Sequence, residues 1–426
     1  MFSKYKEKLK GNIFFQNIAV VAGGNFTAKL IAILATPVIT RLYTPEDYGL
    51  YSVFISIIGI VGSFATMRYS VTIPIARDER LADNLLKLCF VITITLSLLW
   101  FVGLAVFGNV IAVKLSSEQL LPYLWLLPIV FFTKGIYEAL NSWAIRVKNF
   151  KLITRTIVSQ SISSTSIKIG LGLLGVAPLG LFIGHVAQEA AGIGSLLSKL
   201  IKTKQSFFKE LKWGELKFAA NRYKRFPLVQ SWSQLLLALG AQLPVLLLGV
   251  FYGVEVVGVF GLALGMINLP MGLIGQSVSQ VFFAEISKYG NNETDKIYSL
   301  SISIVKKMFI ISLLPVAILL LLGPWLFETV FGDEWYKAGI YARYFSLLVL
   351  VQFTSSPLVS VFNVFEKQGL QLMLNIIRVV LVALIFYISH LLNVNADRAV
   401  LLYSIVLTIY GVFSMFVIFK LIRSYK

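Results

Sequence analysis

The feature that most limits what this chain can fold into is a series of nearly uncharged apolar stretches. Each is close to twenty residues long, and they recur from end to end. About twenty apolar residues is what a helix needs to cross the hydrocarbon core of a bilayer. A backbone in lipid must satisfy its own hydrogen bonds, so segments of this length are expected as helices. Spans are expected at 13–39, 49–67, 85–107, 120–141, 156–175, 179–198, 227–250, 257–283, 301–323, 340–364, 371–391 and 399–420. Composition agrees: of 426 residues, 57% are hydrophobic and 14% charged, with a mean hydropathy of +0.81. Soluble domains carry roughly 25% charged residues, and no soluble domain of useful size fits between the spans. The expected fold class is an all-α integral membrane protein, with twelve transmembrane helices in two pseudo-symmetric six-helix lobes. The boundaries are 1–198 for the first lobe, 199–225 for a basic amphipathic linker and 226–426 for the second lobe.

The start, "MFSKYKEKLKGNIFF", has the basic head of a signal peptide but no small-residue cleavage pattern after its apolar run. It is read as the lead-in to the first span. A single cysteine, Cys89, excludes an internal disulfide and a Cys-rich metal site, and two distant histidines disfavour a His-based one. No metal and no cofactor are expected.

A net charge of +18 raises the question of nucleic acid, and its placement answers it. With the N-terminus in the cytoplasm, 29 of the 38 Lys and Arg fall on cytoplasmic segments or the span ends beside them. The outside loops and the span ends beside them hold only Arg41, Lys114, Lys337, Arg343 and Arg398, and Lys29, Lys134, Lys168 and Arg378 fall inside spans. This is the positive-inside pattern, and it places both termini in the cytoplasm. The excess charge is topology and contact with anionic lipid head groups; nucleic acid is not an expected partner. In "KLIKTKQSFFKELKWGELKFAANRYKR" (199–225), Lys and Arg interleave with Phe207, Phe208, Trp213, Leu216 and Phe218. That suits a helix lying in the membrane interface, and the simplest role is a linker between halves.

The two halves share a corner. "RLYTPEDYGLY" (41–51) and "FYGVEVVGVF" (251–260) align at an offset of 209 residues, placing Tyr43 on Tyr252, Glu46 on Glu255 and Gly49 on Gly258. "YLWLLPIVFFT" (123–133) and "YFSLLVLVQFT" (344–354) align at 221, opening spans four and ten. Six spans per repeat give both halves the same orientation. Parallel repeats of this kind place a substrate site between lobes that rock against each other, so transport by alternating access is expected.

Ionisable groups inside spans cost about 2.5–3.5 kcal/mol on insertion scales and mark function by default. Span one carries "GGNFTAK", in which Asn25 and Lys29 are four apart and share a face. At the 209 offset, Asn25 falls on Gln234 of span seven, which points to a polar cavity lined from both lobes. Lys168 ends the hydroxyl run "SQSISSTSIK" on span five, where cavity lining and helix–helix hydrogen bonding are both open. Lys134 and Glu138, at i and i+4 on span four, read most simply as a mutually neutralising pair. His185, Gln188 and Glu189 share a face of span six; a packed hydrogen-bonded pair and a proton-carrying pair are the two readings. Arg378 either lines the cavity or snorkels to the cytoplasm, and Arg68 reads as an interfacial anchor. Basic residues inside spans outnumber acidic ones four to two, which favours an anionic ligand. No phosphate-cradling Gly-x-x-x-x-Gly-Lys loop supports ATP hydrolysis, and no outside loop is long enough for a glycosyl-transfer site.

The order "GGNFTAKLIAILATPVITRLYTPEDYGLYSVFISI", then "RYSVTIPIARDERLADNLL", resembles the start of bacterial polysaccharide flippases. These are the O-antigen (Wzx-type) members of the multidrug/oligosaccharidyl-lipid/polysaccharide (MOP) exporter superfamily. The likeness lies in layout over the whole chain and in motifs mainly over residues 20–90. It implies a non-enzymatic flippase that moves an undecaprenyl-diphosphate-linked oligosaccharide from the inner to the outer leaflet of the bacterial inner membrane. It also implies a cationic cavity, for which Asn25, Lys29, Lys134, Lys168, Gln234 and Arg378 are the candidates. Cation coupling would fall to Glu138, His185 and Glu189. Implied partners are membrane lipids, a polysaccharide polymerase and chain-length proteins, and a monomer suffices. The rival readings are a cation-coupled multidrug exporter of the same superfamily and, from another class, a membrane-bound O-antigen polymerase or ligase.

Overall fold

The computed structural model describes residues 13–114, 118–204, 207, 212–289 and 293–425. The basic stretch 1–12 and part of the central linker lie outside the described residues. Among the described residues fifteen α-helices follow one another and no strand occurs. The first seven are α1 Ile13–Leu42, α2 Pro45–Val61, α3 Glu79–Lys114, α4 Leu126–Arg146, α5 Phe150–Leu173, α6 Leu179–Ala190 and α7 Ile193–Thr203. The amphipathic α8 Trp213–Arg222 comes at mid-chain. Then come α9 Ser231–Tyr252, α10 Val254–Tyr289, α11 Thr294–Phe331, α12 Tyr336–Ser355, the one-turn α13 Val361–Val364, α14 Gln368–Leu391 and α15 Ala396–Ser424.

Each of the twelve expected spans falls on helix over most of its length. Among the described residues, eight helical stretches are long and apolar enough to cross a membrane alone, and nine if α10, bent by 46° between Leu269 and Ile274, counts as one. The bend coincides with the sequence "LPMG", where a proline removes a backbone donor. Spans four, five and six are the ones that fall short, because they carry Lys134, Glu138, the hydroxyl run and a break. Span six is not one helix. It ends at Ala190, passes through an extended Ala191 and resumes after Gly192, whose φ is +97°. Span two also ends early: α2 stops at Val61, and 3₁₀ turns at Gly62–Phe64 and Tyr69–Thr72 carry the chain to Ile73.

The chain packs as two units, one of residues up to Tyr43 with Phe54–Ala238, the other of Thr44–Val53 with Leu239–Lys426. In the first, α1 and α5 lie side by side with the same sense. Thr154 Oγ1 donates to the Val20 carbonyl (3.2 Å), Ser161 Oγ to that of Ala28 (2.7 Å), and the Tyr43 hydroxyl to that of Lys168 (2.7 Å). A core of Trp143, Ile73, Leu85 and Leu140 closes the end near α8. In the second unit, Phe260 meets Phe345 and Tyr403 edge-on, and Phe386 stacks on Tyr403.

The repeated corner explains itself inside the second unit. Thr44 and Asp47 form a capping box at the start of α2: Thr44 N–H and Oγ1 both reach Asp47 Oδ2 (3.0 and 2.9 Å), and Asp47 N–H returns to Thr44 Oγ1 (3.2 Å). Pro45 sits at the first helical position, where its missing donor costs nothing. From there α2 crosses α10 at backbone contact. A Cβ on Gly49 would lie 1.8 Å from the Val254 carbonyl oxygen, and one on Gly258 would lie 1.8 Å from that of Pro45. Gly49 and Gly258 are one repeat apart, as are Pro45 and Val254, so the two contacts are copies of each other. The sequence repeats its corner because the two corners pack reciprocally.

Candidate functional site

The first unit gathers most of the intramembrane ionisable residues. α4 supplies Lys134 and Glu138 at i and i+4, α5 supplies Ser164 and Lys168, and α6 supplies His185, Gln188 and Glu189. Each set shares a helix face by spacing. Ser164 Oγ donates to Gln188 Oε1 (3.2 Å), tying α5 to α6, and the hydroxyls of Tyr137 and Thr156 join α4 to α5 (2.9 Å).

Room for the two lysines comes from glycines. A Cβ on Gly62 would stand 3.1 Å from the end of the Lys134 side chain, and one on Gly184 would stand 2.4 Å from Lys168 Cγ. The charges of Lys168 and Lys134 both act on His185, which meets Phe54 edge-on at 6.3 Å. Lys134 attracts Glu189 while Glu138 repels it. Lys134 thus lies within electrostatic reach of His185 and Glu189 on α6.

The pairing expected of Lys134 with Glu138 is not what forms. Glu138 Oε1 accepts from Ser70 Oγ (2.6 Å) and Thr66 Oγ1 (3.3 Å), and these hydroxyls lie 2.9 Å apart. Both come from the irregular end of span two, and Thr93 Oγ1 holds that backbone through the Ala65 carbonyl (2.8 Å). This irregular backbone places two donors on the Glu138 carboxylate. Thr66 and Ser70 were missed by sequence reading, since a serine at a span's end looks like any turn residue.

The remaining candidates lie apart from this group. Lys29 is half-buried and Asn25 exposed on α1. Ala28 meets Ser161, so Lys29 stands about 10 Å along the paired helices from Lys168, at 1.5 Å per residue. Gln234, half-buried on α9, belongs to the first unit. Arg378 on α14 belongs to the second, where its charge acts on the hydroxyls of Tyr403 and Tyr410. Arg68, expected as an interfacial anchor, is half-buried with a left-handed backbone (φ 61°), and its Nε is buried with no hydrogen-bond partner among the described residues.

The fold matches solved transporters over nearly its whole length. A multidrug resistance MATE family transporter of the MOP superfamily, in its inward-facing conformation, superposes with a TM-score of 0.75 at 16% identity, over 93% of this chain and 95% of that one. The outward-facing conformation of a MATE family transporter gives 0.61 at 16%, over 96% of each chain. A MOP superfamily transporter from Pyrococcus furiosus, described by a reversed polarity of its binding pocket, gives 0.63 at 16%, again over 96% of each. No curated protein matches by sequence. The chain thus has the fold of these solved transporters. Residues 38–339 match the polysaccharide biosynthesis protein family, and the chain belongs to that family.

Proposed function

We propose that this protein moves an undecaprenyl-diphosphate-linked oligosaccharide, the repeat unit of O-antigen or another surface polysaccharide, from the cytoplasmic to the outer leaflet of the bacterial inner membrane. Transport proceeds by alternating access, and no bond is made or broken. The observation that carries the reading is the pair Lys134 and Lys168, kept inside membrane helices in space left by Gly62 and Gly184. A fixed cation in low dielectric draws in a diphosphate far more strongly than it would in water. Lys29, Asn25, Gln234 and Arg378 extend the anion-binding surface, and Glu138, His185 and Glu189 are the groups for ion coupling. The basic loops put both termini in the cytoplasm. The protein acts as a monomer beside a polysaccharide polymerase and chain-length proteins.

One observation favours a second reading, cation-coupled drug export: Glu138 and Glu189 sit in the same group as the lysines. The deciding experiment deletes the gene in its host and labels polyprenyl-linked glycans on inner-membrane vesicles of known orientation with an impermeant sugar oxidant. Complete repeat units should accumulate on the cytoplasmic face. The cloned gene should restore export, and Lys134→Ala or Lys168→Ala should reduce it at normal protein level. A normal glycan distribution with altered sensitivity to cationic dyes would select the drug exporter instead.

A further inference from the structure

We infer that a pocket between the broken end of span two and α8 holds the diphosphate head of the lipid-linked substrate at the cytoplasmic membrane surface before it moves inward; this rests on the flippase reading and on its orientation. The pocket, about 540 Å³, is lined by Tyr69, Lys217, Phe218, Asn221 and Lys224 among others. It is separate from the Lys134–Lys168 group.

Lys217, Asn221 and Lys224 are spaced by four and three residues, so they share one face of α8 and its continuation. All three are exposed, and neither lysine has an ion-pair partner among the described residues. The one acid of α8 is turned away and already engaged. Glu215 takes a two-pronged contact from Arg80 and a hydrogen bond from Asn84 Nδ2 (2.7 Å), which together hold its carboxyl down at about 2. The wall is fixed: Leu216 and Ala219 are buried, and the Tyr69 hydroxyl donates to the Ala220 carbonyl (3.1 Å). Beside Tyr69, Met67 and Arg68 are two successive left-handed residues, a backbone strain that tends to mark functional sites.

The pocket also faces the right medium. On α8, Trp213 and the pocket-lining Phe218 are 68% and 61% exposed. Large aromatic rings beside lysines suit the head-group layer of a bilayer. Two ammonium groups and an amide on a single face, with an aromatic ring alongside, match a phosphate-bearing head group attached to an apolar chain. A diphosphate engages both lysines, and a single phosphodiester engages one fully.

The test uses the full chain in phosphatidylcholine nanodiscs, with polyprenyl diphosphate as the probe and phosphatidylglycerol as the comparison, bound lipid being read by native mass spectrometry. The double variant Lys217→Gln/Lys224→Gln should weaken polyprenyl diphosphate binding roughly tenfold or more, as expected for losing hydrogen bonds to a charged group. Phosphatidylglycerol binding should change far less, and the double arginine variant should recover the loss. Unchanged diphosphate binding in the glutamine variant, or an equal loss for both lipids, would overturn the assignment. Glycan export assayed alongside separates the two hypotheses. Binding loss with no export by the wild type keeps the pocket and ends the flippase reading. Export by the wild type with unaffected binding in the variant does the reverse.

Discussion

At the scale of single residues, the decisive fact is which partner each buried charge takes. Lys134 and Glu138 are placed for an ion pair by their spacing, yet Glu138 is bonded by Ser70 and Thr66. An i, i+4 pair is worth only about 0.2–0.5 kcal/mol on an isolated helix, whereas a hydrogen bond to a charged group contributes about 1.5–3 kcal/mol. The hydroxyls win. Ser70→Ala should therefore lower stability by about 1.5–3 kcal/mol, read as a lower melting temperature of the detergent-purified protein, while Ser70→Thr should keep most of it. A melting temperature unchanged in Ser70→Ala would show that Glu138 draws its stabilisation elsewhere. The candidate residues on α4, α5 and α6 were legible in the sequence because charge inside an apolar run stands out. Their donors were not, because Thr66 and Ser70 are 72 and 68 residues away along the chain.

At the scale of helices, the crossing of α2 and α10 sets the tightest constraint. Both crossing glycines face a carbonyl oxygen at a distance no real Cβ tolerates. Overpacking a well-packed contact costs about 1–3 kcal/mol, so Gly49→Ala and Gly258→Ala should each destabilise the protein by at least that much in thermal unfolding. The two effects should be equal within error, because the contacts are copies. A mild cost at one position and a severe one at the other would show that the repeat is not reciprocal in the folded protein. Sequence alignment of the two corners located these glycines, and only the packing gave the reason for them. The same limit applies to span six: the break lies at Ala191 and Gly192, where Gly192 has a φ of +97° and a Cβ on it would meet Thr156.

For the whole molecule, orientation is the prediction to make. The basic residues cluster on alternate loops, and translocating them costs more than keeping them where they are synthesised. A reporter active only in the cytoplasm should work when fused after Lys426 or in the basic segment near Lys148, and should fail when inserted beside Lys114. The reverse pattern would invert the topology and remove the cytoplasmic placement of α8 with it. What the sequence determined by itself is the membrane class, the number and order of the spans and the duplicated corner. All of these depend on properties local to about twenty residues or on direct comparison of one segment with another. What only the tertiary structure decided is where helices stop short, which hydroxyl reaches which carboxylate and which glycine meets which carbonyl. Those outcomes depend on the atoms that distant segments bring together, and a local pattern of apolar and polar residues does not encode them.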